Sequence, residues 1–272
     1  MPDPADLVVV EQLAAVWSSI GALGDSLTEP DWLQPTECPG WSVQDNLAHV
    51  IGIESVILGR PVPDRMPPDG PHLRNDLARG NEVWVDAYRE QTGAAVLTEF
   101  RVVTAERLGT LRAPEMDFGA DSWTPVGPGT VRDLLPFRVF DSWIHEQDMR
   151  RAVGHPGGWY GAAAVSVLDR IAAVMPMVVG KKVAPPEGTT VVFAVTGKVP
   201  RSIAIAIVDG RARVLDAPPE EPTVRLELDG ETFVRLGAGR GDPEAILATG
   251  HVSIAGDAGL GASVARAMNF LF

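Results

Sequence analysis

The sequence predicts a helical bundle followed by a smaller α+β domain with an antiparallel sheet. The first half has apolar residues at helical spacing over several long segments. The second half changes to alternating segments rich in β-branched residues, which are typical of strands. The glycine-rich segment "GHPGG" at 154–158 separates the two patterns, and a chain of 272 residues favours two domains. We therefore place the domains at residues 1–157 and 158–272.

Five helices are predicted in the first domain. Ser42 is a suitable N-cap, with Asp45 three positions later in an approximate capping box. Thr130 is expected to cap the last helix, Pro136 to kink it and Gly154 to end it. Short connections between several helices indicate an up-and-down four-helix bundle. The predicted helices cover residues 7–23, 42–58, 76–88, 94–111 and 130–153, and a Gly- and Pro-rich loop precedes the last one.

One helix over residues 159–178 opens the second domain. The segments "TTVVFAVTG", "RSIAIAIVDG", "RARVLDA" and "TVRLELDG" predict four strands, and Asp209-Gly210 favours a hairpin turn. A short fifth strand is expected at "HVSIAGD". Further helices are predicted at residues 231–236, 243–247 and 260–270.

The composition excludes several classes of function. A formal net charge of −13 disfavours binding to nucleic acid and to anionic membranes. The single cysteine, Cys38, allows no internal disulfide, which fits a reducing compartment. The N-terminal "MPDPADLVVVEQL" does not resemble a signal peptide, and the apolar stretch at 172–180 is too short to span a bilayer. We expect a cytoplasmic protein that binds neither membrane nor nucleic acid.

The segment "FDSWIHEQDMRRAVG", residues 140–154, raises the question of function. Asp141, His145 and Asp148 are spaced to share one helical face, and apolar residues lie around the same side. We therefore expect the three polar side chains to point partly inward. Buried charges are costly unless they are paired or bound to a cation.

The helix that begins at Ser42 offers a partner for this face. His49 is surrounded by apolar residues, so if both helices face the core it can meet Asp141 and His145. Two imidazoles and one carboxylate are a common ligand set for a divalent metal with open positions. Asp148 or Asp45 could then orient a ligand histidine through its second nitrogen. The spacing alone also suits a structural ion-pair cluster, because Asp-x-x-x-His is a weak pattern.

Two motifs carry a resemblance to a known family. "CPGWSVQDNLAHVIGIE" and "VRDLLPFRVFDSWIHEQDMRRAVG" resemble the mycothiol-dependent maleylpyruvate isomerase family of actinobacteria, over about residues 8 to 155. The resemblance implies a DinB-like four-helix bundle with a divalent metal, expected to be zinc, on His49, Asp141 and His145. The family's isomerase has Glu at the position of Asp141. The Asp side chain is one methylene shorter than Glu.

The second half is similar to the sterol-carrier-protein-type C-terminal domain of that family, through "DGETFVRLGAGRGDPEAILATGHVSIAGD". The isomerase has a catalytic arginine in this domain, and Arg240 in "GAGRGD" is the matching candidate. A solvated loop arginine is the alternative interpretation. Cys38 is interpreted as structural, and no function is assigned to His72, His155 or His251.

The resemblance implies a metal- and mycothiol-dependent isomerase or S-transferase. In such an enzyme an activated thiol adds to a small electrophilic substrate that bears carboxylates. The expected partners are this substrate and a low-molecular-weight thiol, with the chain a monomer or homodimer. Two other functions remain open: a non-enzymatic small-molecule or lipid-binding protein, with an apolar cavity beside strands 191–195 and 203–207, and a metal-dependent hydrolase.

Overall fold

The computed structural model describes residues 3–271. The chain divides into two compact units, Met1–Gly158 and Trp159–Phe272. The first unit is helical and the second is α+β, so the predicted fold class is confirmed. The predicted boundary after residue 157 lies one residue from this division.

Four long helices of the first unit form a ring. Helix α1 packs against α5 and α6, and α3 packs against the same two helices from the other side. Helix α4 lies against α3. The bounds are α1 Pro4–Asp25, α2 Glu29–Trp32, α3 Val43–Ile57, α4 Asp76–Tyr88, α5 Gly93–Leu111 and α6 Val131–Ala152.

Local sequence signals explain where the two helices α3 and α6 begin. Ser42 and Asp45 form a full capping box at α3, and Thr130 and Asp133 form another at α6. Helix α6 continues through Pro136, and Gly154 follows its end with a φ of 67°. The starts of both helices are therefore fixed by short-range hydrogen bonds.

Two short elements of the first unit were not predicted. One is the four-residue helix α2. The other is a hairpin of β1, Asp121–Thr124, and β2, Gly127–Thr130, which lies in the segment expected to be a loop. Strands this short, one of them containing Gly and Pro, show no alternation of apolar side chains, so the periodic signal for a strand is missing.

The second unit opens with α7, Gly161–Met177, which continues into a π-helical turn at Val178–Val183. A five-stranded sheet follows, with the order β5-β4-β3-β6-β7. The strands are β3 Thr190–Thr196, β4 Arg201–Val208, β5 Arg211–Val214, β6 Val224–Asp229 and β7 Val252–Gly256. The remaining helices are α8 Gly230–Gly237, α9 Pro243–Ala248 and α10 Ala258–Ala267.

The prediction of a purely antiparallel sheet is wrong at one pairing. β3 and β6 run parallel, with Phe193 opposite Leu226, while the other three pairings are antiparallel. The chain crosses from β5 to the far side of β3 before β6 begins, so β6 enters in the direction of β3. Side chains alternate in the same way in both kinds of pairing, so the sequence pattern does not show strand direction.

Two helical segments, Pro4–Asp25 and Gly161–Val183, are long and apolar enough to cross a membrane by length and composition. In each, 44% of the apolar window is buried. Leu13 and Ile20 of the first and Leu168 and Ile171 of the second are at most 2% exposed. Core helices pass the same test, so it is weak evidence for membrane insertion.

Candidate metal centre

Helices α3 and α6 bring His49, Asp141 and His145 together. The three potential ligand atoms lie within 4.8 Å of one another. His49 Nε2 lies 3.4 Å from Asp141 Oδ1, and His145 Nε2 lies 3.6 Å from the same oxygen. The two imidazole rings are 4.7 Å apart at an interplanar angle of 68°. Both Nε2 atoms therefore approach one carboxylate oxygen.

The centre is buried on its histidine side and open on its carboxylate side. His49 and His145 are 5% and 6% exposed, whereas the side chain of Asp141 is 30% exposed. The carboxylate is therefore the part of the centre that reaches solvent.

A buried ion network supports Asp141. Arg138 Nη1 donates to Asp141 Oδ2 over 2.9 Å, and Arg138 Nε donates to Glu54 Oε1 over 2.7 Å. Arg107 Nε lies 3.4 Å from the other oxygen of Glu54. Two guanidinium groups thus face two carboxylates, which offsets the cost of burying them. Since Oδ2 is taken by Arg138, Oδ1 is the oxygen left for an ion.

The second nitrogen of His145 has acceptors of its own. His145 Nδ1 lies 2.7 Å from Asn46 Oδ1 and 3.3 Å from Asp148 Oδ2. Asp148 also accepts from the Cys38 thiol at 3.1 Å and from Arg151 at 2.5 Å. The structure thus brings Asp148 to His145 on the side away from Asp141. Cys38 is buried and hydrogen-bonded there.

Asp45 is placed elsewhere, contrary to its expected role beside a histidine. Its carboxylate closes the capping box on the backbone N–H of Ser42 at 2.9 Å and accepts from Arg89 Nε at 3.2 Å. Within residues 3–271, His49 Nδ1 is buried with no hydrogen-bond partner. The capping box and Arg89 together occupy both oxygens of Asp45.

The electrostatics follow from these contacts. Burial would raise the pKa of Asp141, but the charge of Arg138, followed by the two histidines, holds this pKa well below its usual range. Burial lowers the pKa of His49, and Asp141 offsets only part of the shift. Burial also opposes a charged His145, yet Asp141 and the hydrogen bonds to Asp148 and Cys38 raise its pKa well above the usual value.

The donor set fits a divalent cation. Two Nε2 atoms and one anionic oxygen surround the same point, and these are ligands that zinc and similar ions accept. Because acceptors face His145 Nδ1, one proton belongs there, and an ion bound at Nε2 would replace the second proton, which the raised pKa places on the side of Asp141. His49 shows no such support on its own Nδ1.

An aromatic side chain that sequence reasoning did not single out borders the centre. The ring of Trp41 lies 5.1 Å from His49 and 5.9 Å from His145. Its Nε1 donates to the buried Glu82 over 2.9 Å, and Arg89 pairs with Glu82 at 2.7 Å. Trp41 is therefore fixed against both histidines by a charged pair behind it. The sequence around Trp41, "PGWS", carries no signal for this role.

Arg240 belongs to the second unit, in the turn after α8. Its Nη1 donates to the carbonyl oxygen of Ala238 over 2.9 Å, and the side chain is half-buried. Its assignment as a catalytic residue stays a prediction.

Comparisons with known proteins agree with this architecture. Residues 13–150 match the family model of the mycothiol maleylpyruvate isomerase N-terminal domain, and residues 169–269 match the SCP-2 sterol transfer family. No curated protein matches the chain.

Two solved structures share the fold. One is a crystal structure of the mycothiol-dependent maleylpyruvate isomerase, with 15% identity and a TM-score of 0.53. The other is a mutant of that enzyme, with 16% identity and the same TM-score. Each alignment covers 94% of this chain and 93% of the other. Since the first family model spans half of the sequence, the chain belongs to the mycothiol maleylpyruvate isomerase N-terminal domain family.

Proposed function

We propose that this protein is a metal-dependent enzyme that uses mycothiol as a thiol cosubstrate, as an isomerase or an S-transferase. The observation that carries the proposal is the convergence of His49, Asp141 and His145 within 4.8 Å in a chain of this family. The family model describes a mycothiol isomerase domain, which favours thiol chemistry over other uses of the same ligands.

A divalent ion bound at this centre would stabilise the thiolate form of a thiol. The thiolate is the nucleophilic form. The surrounding residues have separate roles in binding the ion and the substrate. Asp141 provides one anionic oxygen while Arg138 fixes the other. Trp41 excludes water from one side of the histidines and offers an aromatic face to a bound molecule.

The proposed substrate is a small electrophile that carries carboxylates. A thiolate either adds reversibly to an activated double bond, which permits rotation and elimination, or displaces a leaving group. The first route is isomerisation and the second is S-transfer. Because the chain has a net charge of −13, an anionic substrate requires a local cation, and Arg240 is proposed to bind its carboxylates.

Metal analysis and a thiol-dependent assay test the proposal together. The protein is purified without chelator, its divalent metals are quantified, and turnover of maleylpyruvate and of other electrophiles is measured with and without mycothiol. We expect near-stoichiometric metal and turnover that needs the thiol. Less than about a tenth of an equivalent of metal, with no uptake on titration, would contradict the proposal. Turnover that needs metal but no thiol would instead support the hydrolase alternative.

A second candidate function is suggested by the match of residues 169–269 to the SCP-2 sterol transfer family. It is a non-enzymatic protein that binds a lipid or another apolar molecule. Mass spectrometry of an organic extract of the native protein distinguishes the two. A stoichiometric apolar ligand, in protein without thiol-dependent activity, would favour binding over catalysis.

A further inference from the structure

The side-chain amide of Asn46 lies against His145 on the side opposite Asp141. Asn46 is fully buried on α3, and its Oδ1 lies 2.7 Å from His145 Nδ1. This is shorter than the 3.3 Å between the same nitrogen and Asp148. The Cys38 sulfur lies 3.4 Å from Asn46 Oδ1, but its single proton is directed to Asp148 Oδ2, which is closer at 3.1 Å.

The hydrogen bonds of Asn46 fix which end of its amide faces the histidine. Its Nδ2 donates to the carbonyl oxygen of Ser42 at 2.8 Å and to Thr36 Oγ1 at 2.9 Å. The Ser42 carbonyl can only accept, and the Thr36 hydroxyl already donates its proton to the Trp41 carbonyl at 2.9 Å. A flipped amide would set oxygen against oxygen at both places. The amide oxygen must therefore point at His145.

We propose that Asn46 is a positioning residue that sets the tautomer of His145, and this rests on the proposed metal-dependent function. An acceptor at Nδ1 requires a proton to sit there, so Nε2, which faces Asp141, is the nitrogen left for an ion. An amide does this without adding charge. Asp148 shares the task only partly, because Arg151 and Cys38 already bind its oxygens.

The test compares zinc affinity and imidazole ¹⁵N signals of zinc-loaded wild type, Asn46→Leu and Asn46→Asp. In wild type we expect a protonated Nδ1 and a coordinated Nε2 on His145. Asn46→Leu removes the acceptor at similar size, so its affinity should fall by about tenfold or more, with an altered Nδ1 signal. Asn46→Asp keeps an acceptor at Nδ1 and should restore both the affinity and the signal, with a loss of stability because its second oxygen faces the Ser42 carbonyl.

Gln44→Leu is the matched control. Gln44 is a buried amide on the same helix that donates to the carbonyls of Tyr88 and Gln91, and within residues 3–271 it has no hydrogen bond to either histidine. Its loss should lower stability but leave zinc affinity and the His145 signals unchanged. A purely structural role for Asn46 predicts that both leucine variants behave alike.

Three outcomes separate the inferences. Wild-type protein that binds no divalent ion overturns the proposed function itself. Equal zinc affinity and equal ¹⁵N signals in wild type and Asn46→Leu would overturn only the role of Asn46. If Asn46→Leu fails to fold, the wild-type spectrum and Asn46→Asp decide, since coordination of His145 through Nδ1 would overturn the role directly.

Discussion

The carboxylate of Asp141 serves two partners with two oxygens, one toward Arg138 and one toward the histidines. An aspartate that only paired with Arg138 would not need both Nε2 atoms beside its other oxygen. The metal interpretation and an ion-pair cluster both use this geometry, and substitution of Asp141 distinguishes them.

Asp141→Asn should weaken divalent metal binding strongly, because a neutral amide replaces the anionic oxygen while the shape is nearly kept. Asp141→Glu should retain metal, since the charge stays and the side chain is 30% exposed, which leaves room for one methylene. Isothermal titration of the three proteins with zinc measures both effects. Equal affinity in wild type and Asp141→Asn would remove Asp141 from the centre, and Asp148 would be the next carboxylate to test.

His145→Ala should lose bound metal and activity while the fold survives. The missing ring removes the contacts of Asn46 Oδ1 and Asp148 Oδ2 with His145, so some stability is lost beyond the metal linkage. Metal content, circular dichroism and thermal unfolding distinguish the cases. Full metal occupancy would show that another histidine binds the ion, and an unfolded variant would favour a structural role for His145.

Spacing placed Asp141 and His145 on one face of α6, because residues four apart on a helix share a face, and the family resemblance joined His49 of α3 to them. Spacing was not enough for Asn46 or for the network of Glu54 and Arg138. Those contacts depend on how far α3 and α6 are rotated about their axes, and helical periodicity sets this angle only coarsely. Asp45 was expected both to complete a capping box and to be able to orient a histidine, and the structure shows its carboxylate on Ser42 and Arg89.

At the scale of elements, α3 and α4 approach closely at Gly52. A Cβ on Gly52 would lie 2.5 Å from the Cβ of Trp84, which is 7% exposed. Gly52→Ala should therefore destabilise the fold by about 1–3 kcal/mol, as overpacked sites do. Gly80→Ala is the control, because Gly80 is exposed within α4 with nothing near its Cβ, and it should stabilise by about 0.5–1 kcal/mol. Urea denaturation measures both, and equal effects would refute the close contact.

An ion pair joins α1 to α6. Arg132 donates from Nε and Nη2 to the two oxygens of the buried Asp6 over 2.6 and 2.7 Å. These hydrogen bonds to Arg132 lower the pKa of Asp6 from its usual 3.8. A lowered folded-state pKa contributes stability that is present above the unfolded pKa and is lost as the pH falls through the folded value.

Asp6→Asn should therefore lose stability at neutral pH, and its stability should fall less than that of wild type as the pH drops below the usual pKa of 3.8. Thermal unfolding of both proteins across this range measures the difference. Parallel pH profiles would show that the pair contributes no pH-dependent stability.

The element pattern was predictable where a helix or strand was long and periodic. The bounds of α4 agree with the sequence prediction, and the capping boxes explain the starts of α3 and α6. The parallel pairing of β3 with β6 was not predictable, because it depends on the path of the chain between β5 and β6.

At the scale of the molecule, all residues of the proposed centre belong to the unit Met1–Gly158, whereas Arg240 belongs to the other. A fragment of residues 1–158 should therefore bind a divalent ion with an affinity close to that of the whole chain, yet lack turnover if Arg240 binds substrate. Zinc titration and the thiol-dependent assay of the fragment test this. A folded fragment without zinc affinity would show that the centre needs the second unit.

His49 belongs to α3 while Asp141 and His145 belong to α6, so an ion bound by all three would link two neighbours in the ring of helices. Such a link acts on the folded state alone and lowers the population of opened, protease-sensitive forms in proportion to free metal. The abundance of the protein in a cell would then follow metal supply. Starvation for the ion would then shorten the lifetime of the protein in addition to abolishing its activity.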